Sequence, residues 1–246
     1  MVALLVDHRD TACVRLTPRQ RPTHNIVNEL DDLIAGFARF RATYFEKSRG
    51  LFEDLKHGQN PRFMVIACSD SRTDPAIVFD AAPGDLFVVR NVANLVPPYA
   101  KDTTLHGVSS ALEFGVRVLR VRHIIVLGHA QCAGIRALVT GSSGEFVSRW
   151  MQIAEPARRH VMTTMPGEST DVYARACEKE AIAVSLANLE SFPWIRDRIE
   201  KTDLFLQGWY FDLDSGTLSR YEPTSGEFVT LPREPGDSRV HQDQRQ

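Results

Sequence analysis

The chain has 246 residues, of which 43% are hydrophobic and 24% charged; this suits one α/β domain or two small ones with a sizeable core. A disordered chain and a small disulfide-stapled scaffold are thereby excluded. Lys and Arg number 29 against 31 Asp and Glu, a net charge of −2, so no global field draws the protein onto nucleic acid or an anionic membrane.

Residues 1–22 mix Arg, Thr and Pro without periodicity and read as an extended lead-in ending at Pro22. The opening MVALLV is too short, and lacks the basic flank, for a secretory leader. Apolar runs reach only six residues, as in 1–6 and 63–68, far below the roughly 20 that span a bilayer. A cytoplasmic location is expected. From Thr23, the positions Val27, Leu30, Ile34, Phe37 and Phe40 recur at steps of three and four. They predict an amphipathic helix to about Leu55, with a break at Gly50. Such a helix needs a surface, either a partner subunit or its own sheet.

Residues 62–67, 85–89 and 123–127 are short β-branched or aromatic runs. Their continuous apolarity predicts strands buried on both faces of a parallel sheet. Between the second and third, Val108, Ala111, Leu112, Gly115, Val116 and Leu119 predict a crossover helix over 105–122. Further helices are predicted over 132–138, 146–165 and 172–190, the last continuing past Pro193 to Ile199. A fourth strand is predicted over 204–213, and Ser215-Gly216 returns 217–221 as an antiparallel edge strand. The expected fold is α/β: a mainly parallel central sheet flanked by helices, with that antiparallel edge strand at its C-terminal end. An N-terminal helical arm over 23–58 belongs to a single domain of 23–232, followed by a solvated tail, 233–246.

In such sheets ligands gather at the carboxyl ends of the strands, where strand order reverses. The first predicted strand runs into Cys68-Ser69-Asp70-Ser71-Arg72, and the third into Gly128-His129-Ala130-Gln131-Cys132-Ala133-Gly134. If the two strands are neighbours, Cys68, His129 and Cys132 converge. Two thiolates and an imidazole suit Zn²⁺, and three protein ligands leave the fourth position open, as in catalytic sites. Asp70 either binds the metal itself or pairs with Arg72 and accepts a hydrogen bond from metal-bound hydroxide. Two thiolates already neutralise Zn²⁺, so a bound carboxylate would blunt its Lewis acidity; a bidentate pair with Arg72 opposes that.

The other candidates have plainer readings. Cys177 shares an apolar stripe with Tyr173, Ala181 and Val184 and reads as buried, and Cys13 as an ordinary thiol. His8, His24, His57, His106, His123, His160 and His241 lack spaced partners and read as surface or packing residues. Asp74 before Pro75 reads as a helix cap with Pro at the first helical position.

The paired CSDSR (68–72) and HAQCAG (129–134) resemble the β-class carbonic anhydrases. The likeness extends through DPAIVFDAAPGDLFVVRNVANLVPPY (74–99), IIVLGHAQCAGI (124–135) and LQGWYFDLDSGTLSRYE (206–222), and covers about residues 23–230. The resemblance implies one zinc ion per chain on Cys68, His129 and Cys132, beside an Asp70–Arg72 dyad. It implies reversible hydration of CO₂ to bicarbonate and a proton by a homodimer or homotetramer, with no nucleic-acid or membrane partner. In plant-like members a glutamine nine residues before the first ligand orients bicarbonate; it matches Gln59. The aromatic pocket wall matches Phe87 and Phe114, and CO₂ is expected against these and Val92. In the family the glutamine and aromatics complete the site across a dimer interface. Val65 and Ala67 stand where members with a non-catalytic bicarbonate pocket carry Trp and Gly. The resemblance therefore implies the open form near neutral pH, with Asp70 a ligand only in the closed one. Two rivals share the zinc site: hydrolysis of carbon disulfide or carbonyl sulfide, and a non-catalytic zinc-binding sensor or interaction module. The presence of both Asp70 and Arg72 weighs against the second.

Overall fold

The computed structural model describes residues 26–102, 105–141 and 144–232. They divide into two compact units, one ending at Gly58 and the other starting at Gln59. The first holds helix α1 (Ile26–Phe40), a π-helical turn (Arg41–Phe45) and helix α2 (Arg49–Leu55). The predicted break at Gly50 lies instead at residues 46–48, and Gly50 is inside α2. Side-chain packing decides this: Phe52 of α2 folds back onto Phe45, Phe40 and Tyr44, with ring centroids at 4.7, 6.1 and 6.2 Å. An isolated glycine is tolerated within a helix when tertiary contacts outweigh its propensity. Leu30, Leu33, Ile34 and Phe37 remain 64–73% exposed.

The second unit runs β1 (Phe63–Cys68), α3 (Pro75–Val78), β2 (Leu86–Asn91), α4 (Gly107–Glu113), β3 (His123–His129), α5 (Ala133–Thr140), α6 (Val147–Met151), α7 (Glu155–Thr164), α8 (Thr170–Glu190), α9 (Pro193–Glu200), β4 (Phe205–Phe211), β5 (Leu218–Glu222) and β6 (Glu227–Thr230). The sheet order is β2-β1-β3-β4-β5-β6, parallel through β4 and antiparallel beyond it. Alternate residues of β1 and β3 fill two cores, as strands covered on both faces require. Met64, Ile66, Ile124 and Val126 pack with Leu112, Val116 and Ile182; Val65, Ala67, Ile125 and Leu127 pack with Phe79, Trp209 and Phe211.

Three predicted boundaries change. The helix over 172–190 does not run through Pro193: Phe192 turns extended (φ −78°, ψ 117°) and Pro193 starts α9, because proline has no N–H and forces its predecessor out of the α region. The helix over 146–165 is split by a 3₁₀ turn, Gln152–Ala154, ahead of Pro156. The edge strand is β6 rather than β5, reached through a turn where Gly226 has φ 72°; EFVT is too short for its alternation to register as a strand.

Helix α8 approaches the sheet closely because two strands present glycine to it. A Cβ at Gly128 of β3 would lie 2.6 Å from Ile182 Cδ1. One at Gly208 of β4 would lie 2.7 Å from Ile182 Cγ2, 2.9 Å from Leu186 Cδ1 and 3.1 Å from Tyr221 Cβ. Gly208→Ala overpacks a cage closed on three sides and is expected to destabilise the protein by about 1–3 kcal/mol. Urea unfolding reads this directly, and an unchanged midpoint would refute the notch.

Candidate metal centre

The crossover to β2 leaves β1 on one side and the chain beyond β3 leaves on the other, so strand order reverses between β1 and β3. This is where a parallel sheet opens a crevice at its carboxyl edge. The register Ala67↔Leu127 brings Cys68 and His129 to that edge together. After His129 the chain turns through Gln131, in the left-handed region at φ 59°, and Cys132 caps α5.

The ligand-capable atoms of Cys68, His129 and Cys132 all lie within 4.8 Å of one another, and the three residues are buried. The sulfurs are 4.0 Å apart and both thiols are free. Two Zn–S bonds at the tetrahedral angle place sulfurs about 3.8 Å apart. His129 Nδ1 lies 2.8 Å from the Ala130 carbonyl oxygen, which only accepts, so Nδ1 carries the proton. Nε2 is then a bare lone pair, buried and without a hydrogen-bond partner. Buried polar atoms are rarely left in that state, and a cation between the sulfurs would satisfy it. The neighbouring Cys132 thiol holds the Cys68 thiol down to about 4 against the opposing effect of burial, while the Cys68 thiolate and burial push Cys132 far up. A divalent ion held there would require both sulfurs as thiolates.

Asp70 is paired with Arg72: Nε donates to Oδ1 at 2.9 Å, Nη2 to Oδ2 at 2.7 Å and the Arg72 amide to Oδ1 at 3.0 Å. These bonds hold its carboxyl down to about 2, so it is an acceptor at neutral pH. Oδ2 stands 3.9 Å from His129 Nε2. Arg90, unremarked in the sequence, fixes the loop bearing this dyad. It donates to the carbonyls of Cys68 (2.9 Å) and Asp70 (2.6 Å) and to Asp74 Oδ2 (2.8 Å). Asp74 Oδ1 accepts from the Ala76 amide at 2.9 Å, capping α3 with Pro75 inside its first turn as expected.

Glu178 is another residue whose part in the site sequence reasoning missed. It is 4% exposed, accepts from the Cys132 amide and from Tyr210 Oη, both at 2.8 Å, and burial raises its pKa. A signal existed: Glu178 falls within the buried stripe Ala174, Ala181, Ile182 and Ser185 of α8.

The remaining candidates are not all gathered at the triad. Gln59 is exposed. Phe87 is in register with Met64, four residues before Cys68, or about 13 Å along the strand; its ring packs on Phe114 at 5.9 Å between centroids. Val92 follows Asn91, the register partner of Cys68, and its carbonyl accepts from Trp150 Nε1 at 2.7 Å. Cys177 is buried, its thiol pushed up to about 11 by burial. His123 stacks between Phe63 and Phe205, a packing role. Cys13, His8, His24 and His241 lie outside the described residues. Among those described, no helix is long and apolar enough to cross a membrane.

The carbonic anhydrase family model matches residues 63–218, from the first residue of β1 to the first of β5. β-Carbonic anhydrase 3 of Arabidopsis thaliana is 37% identical over 215 residues, covering 85% of this chain and 81% of that protein. The chain belongs to the β-carbonic anhydrase family. Its fold is that of solved β-carbonic anhydrases. The structure of the β-carbonic anhydrase CcaA superposes with a TM-score of 0.79 at 33% identity, over 83% of this chain and 93% of that one. One of two tetrameric β-carbonic anhydrases of Sordaria macrospora gives 0.70 at 25% identity, over 78% and 96%. In this β-carbonic anhydrase the matched segment contains Cys68, Asp70, Arg72, His129 and Cys132, the whole cluster at the carboxyl edge.

Proposed function

We propose that the chain is a zinc enzyme that interconverts CO₂ and bicarbonate, with Cys68, His129 and Cys132 as metal ligands. The observation that carries this reading is the buried, partnerless Nε2 of His129 beside two free sulfurs, with an ionised carboxylate held alongside. Bound there, zinc would supply Lewis acidity, lowering the pKa of water toward neutrality. Asp70 accepts a hydrogen bond from the attacking water and so orients it toward CO₂. Arg72 occupies both carboxylate oxygens and keeps Asp70 out of the open position.

Gln59, Phe87 and Phe114 serve a neighbouring copy, with Val92 on the chain that supplies the ligands. Gln59 would donate an amide N–H to the forming bicarbonate, and the aromatics wall the apolar CO₂ site. Supporting this division, the register sets Phe87 well away from its own chain's ligands. The exposed apolar face of α1 supports an arm wrapped on a second subunit, in a homodimer or homotetramer. Residues 23–232 form one domain of a cytoplasmic protein in this reading.

The test is stopped-flow CO₂ hydration from about pH 6.5 to about pH 9, with metal content measured on the same sample. Activity proportional to zinc, at one per chain, is expected. Zinc-loaded protein inactive throughout would overturn the reading and direct assays to carbon disulfide and carbonyl sulfide.

A further inference from the structure

Arg72 is partly exposed, its side chain 39% accessible, so water competes for the guanidinium outside its two bonds to Asp70. Its remaining contacts therefore help to set where it sits, and these are with Gln131. Arg72 Nη2 donates to the Gln131 backbone carbonyl at 3.0 Å and Nη1 approaches its Oε1 at 3.5 Å. The left-handed turn at Gln131, φ 59°, costs about 1 kcal/mol for a residue other than glycine, and this is the turn whose carbonyl meets Arg72.

Gln131 is anchored in turn. Its Nε2 donates to Asp214 Oδ1 at 2.8 Å, and Arg175 Nη2 donates to Asp214 Oδ2 at 3.1 Å. Asp214 sits in the β4–β5 turn, where Asp212 Oδ1 accepts from the amides of Asp214 and Ser215. Arg175 Nη1 donates to Tyr210 Oη at 3.0 Å, and Tyr210 donates to Glu178, which holds the Cys132 amide. The hydrogen-bonded ring leaves the Gln131 side chain and returns to the amide of the next residue.

We propose that Gln131 is a positioning residue that, anchored by Asp214 and Arg175, holds Arg72 on Asp70 and so keeps Asp70 off the metal position. This rests on the proposed function only in taking Cys68, His129 and Cys132 as the metal ligands. Asp70 Oδ2 is already 3.9 Å from His129 Nε2, so a small movement suffices once Arg72 is loosened.

The test uses the full chain with cobalt(II) in the site and azide as the probe, read by the cobalt absorption bands. Gln131→Gly accepts the left-handed turn and keeps the backbone carbonyl but removes the side-chain contacts to Arg72 and Asp214. Azide affinity is expected to fall about fivefold or more as Asp70 competes for the open position, and kcat/KM for CO₂ hydration by a similar factor. Asp214→Ala should reproduce the loss, and the double variant should lose no more than the larger single effect, since both break one chain of contacts. Azide affinity within about twofold of the parent in both single variants would overturn the clamp. If Gln131→Gly does not fold, Asp214→Ala gives the same reading. Parent protein that binds azide through cobalt yet hydrates no CO₂ would defeat the proposed function and leave the clamp assay standing.

Discussion

Asp70→Asn is expected to leave zinc content at the parent level and to lower kcat/KM for CO₂ hydration by about 100-fold or more. The three sulfur and nitrogen donors are buried beneath the dyad and do not depend on Asp70 for their geometry. The substitution keeps the size of the side chain but turns one acceptor into a donor. Arg72 now presents Nε–H and Nη2–H to a group that accepts only one of them, so the bidentate pair opens. The oxygen that would orient the attacking water is then either lost to Arg72 or replaced by an N–H pointing at a donor. Stopped-flow kinetics and metal analysis on one preparation separate these effects. Full activity with full zinc would remove Asp70 from the chemistry.

Glu178→Ala is expected to weaken zinc binding about 10- to 100-fold and to lower folding stability by about 2–4 kcal/mol. The carboxylate accepts two buried hydrogen bonds, one from the amide of the proposed ligand Cys132 and one from Tyr210. Alanine leaves both donors unpaired and lets the turn carrying Cys132 relax. Glu178→Gln keeps an acceptor for the Cys132 amide, and its N–H can donate to Tyr210 Oη, so most of the lost affinity should return. Competition against a zinc chelator, with urea unfolding alongside, measures both quantities. An alanine variant with parent affinity would show that Glu178 does not position Cys132.

The parallel sheet and the convergence of Cys68, His129 and Cys132 were legible because each is written locally. RFMVIA and HIIVL each carry the continuous apolar stretch typical of strands covered on both faces, and each is followed by its candidate donor residues. Boundaries set by tertiary packing were not legible: Phe52 folding onto Phe45 moved the break in the arm away from Gly50, and β6 is paired by its neighbour rather than declared by its four residues. The supports of the site were missed for a related reason. Glu178 reaches Cys132 across 46 positions and Gln131 reaches Asp214 across 83, and each is a single polar residue whose partner no spacing rule identifies. For Gln59 and Phe87 the chain alone offers no local contact with the triad, so their assignment rests on the family pattern.

If the proposed zinc reading holds, the adjacency of β1 and β3 also fixes when the metal arrives. Cys68 stands 61 positions from His129, and closing such a loop in an unfolded chain costs about 4 kcal/mol in entropy. Before the sheet pairs, these three residues offer an ion just the local His129–Cys132 couple, a two-donor site of low affinity. The third donor appears when β1 zips onto β3, a contact of high sequence separation that forms slowly. In that reading metal capture would follow strand pairing instead of nucleating it, unlike a zinc finger, whose folding the ion drives. The apolar cores on both faces of the sheet involve no ion, so in that reading an ion would leave and be replaced without the protein passing through its unfolded state.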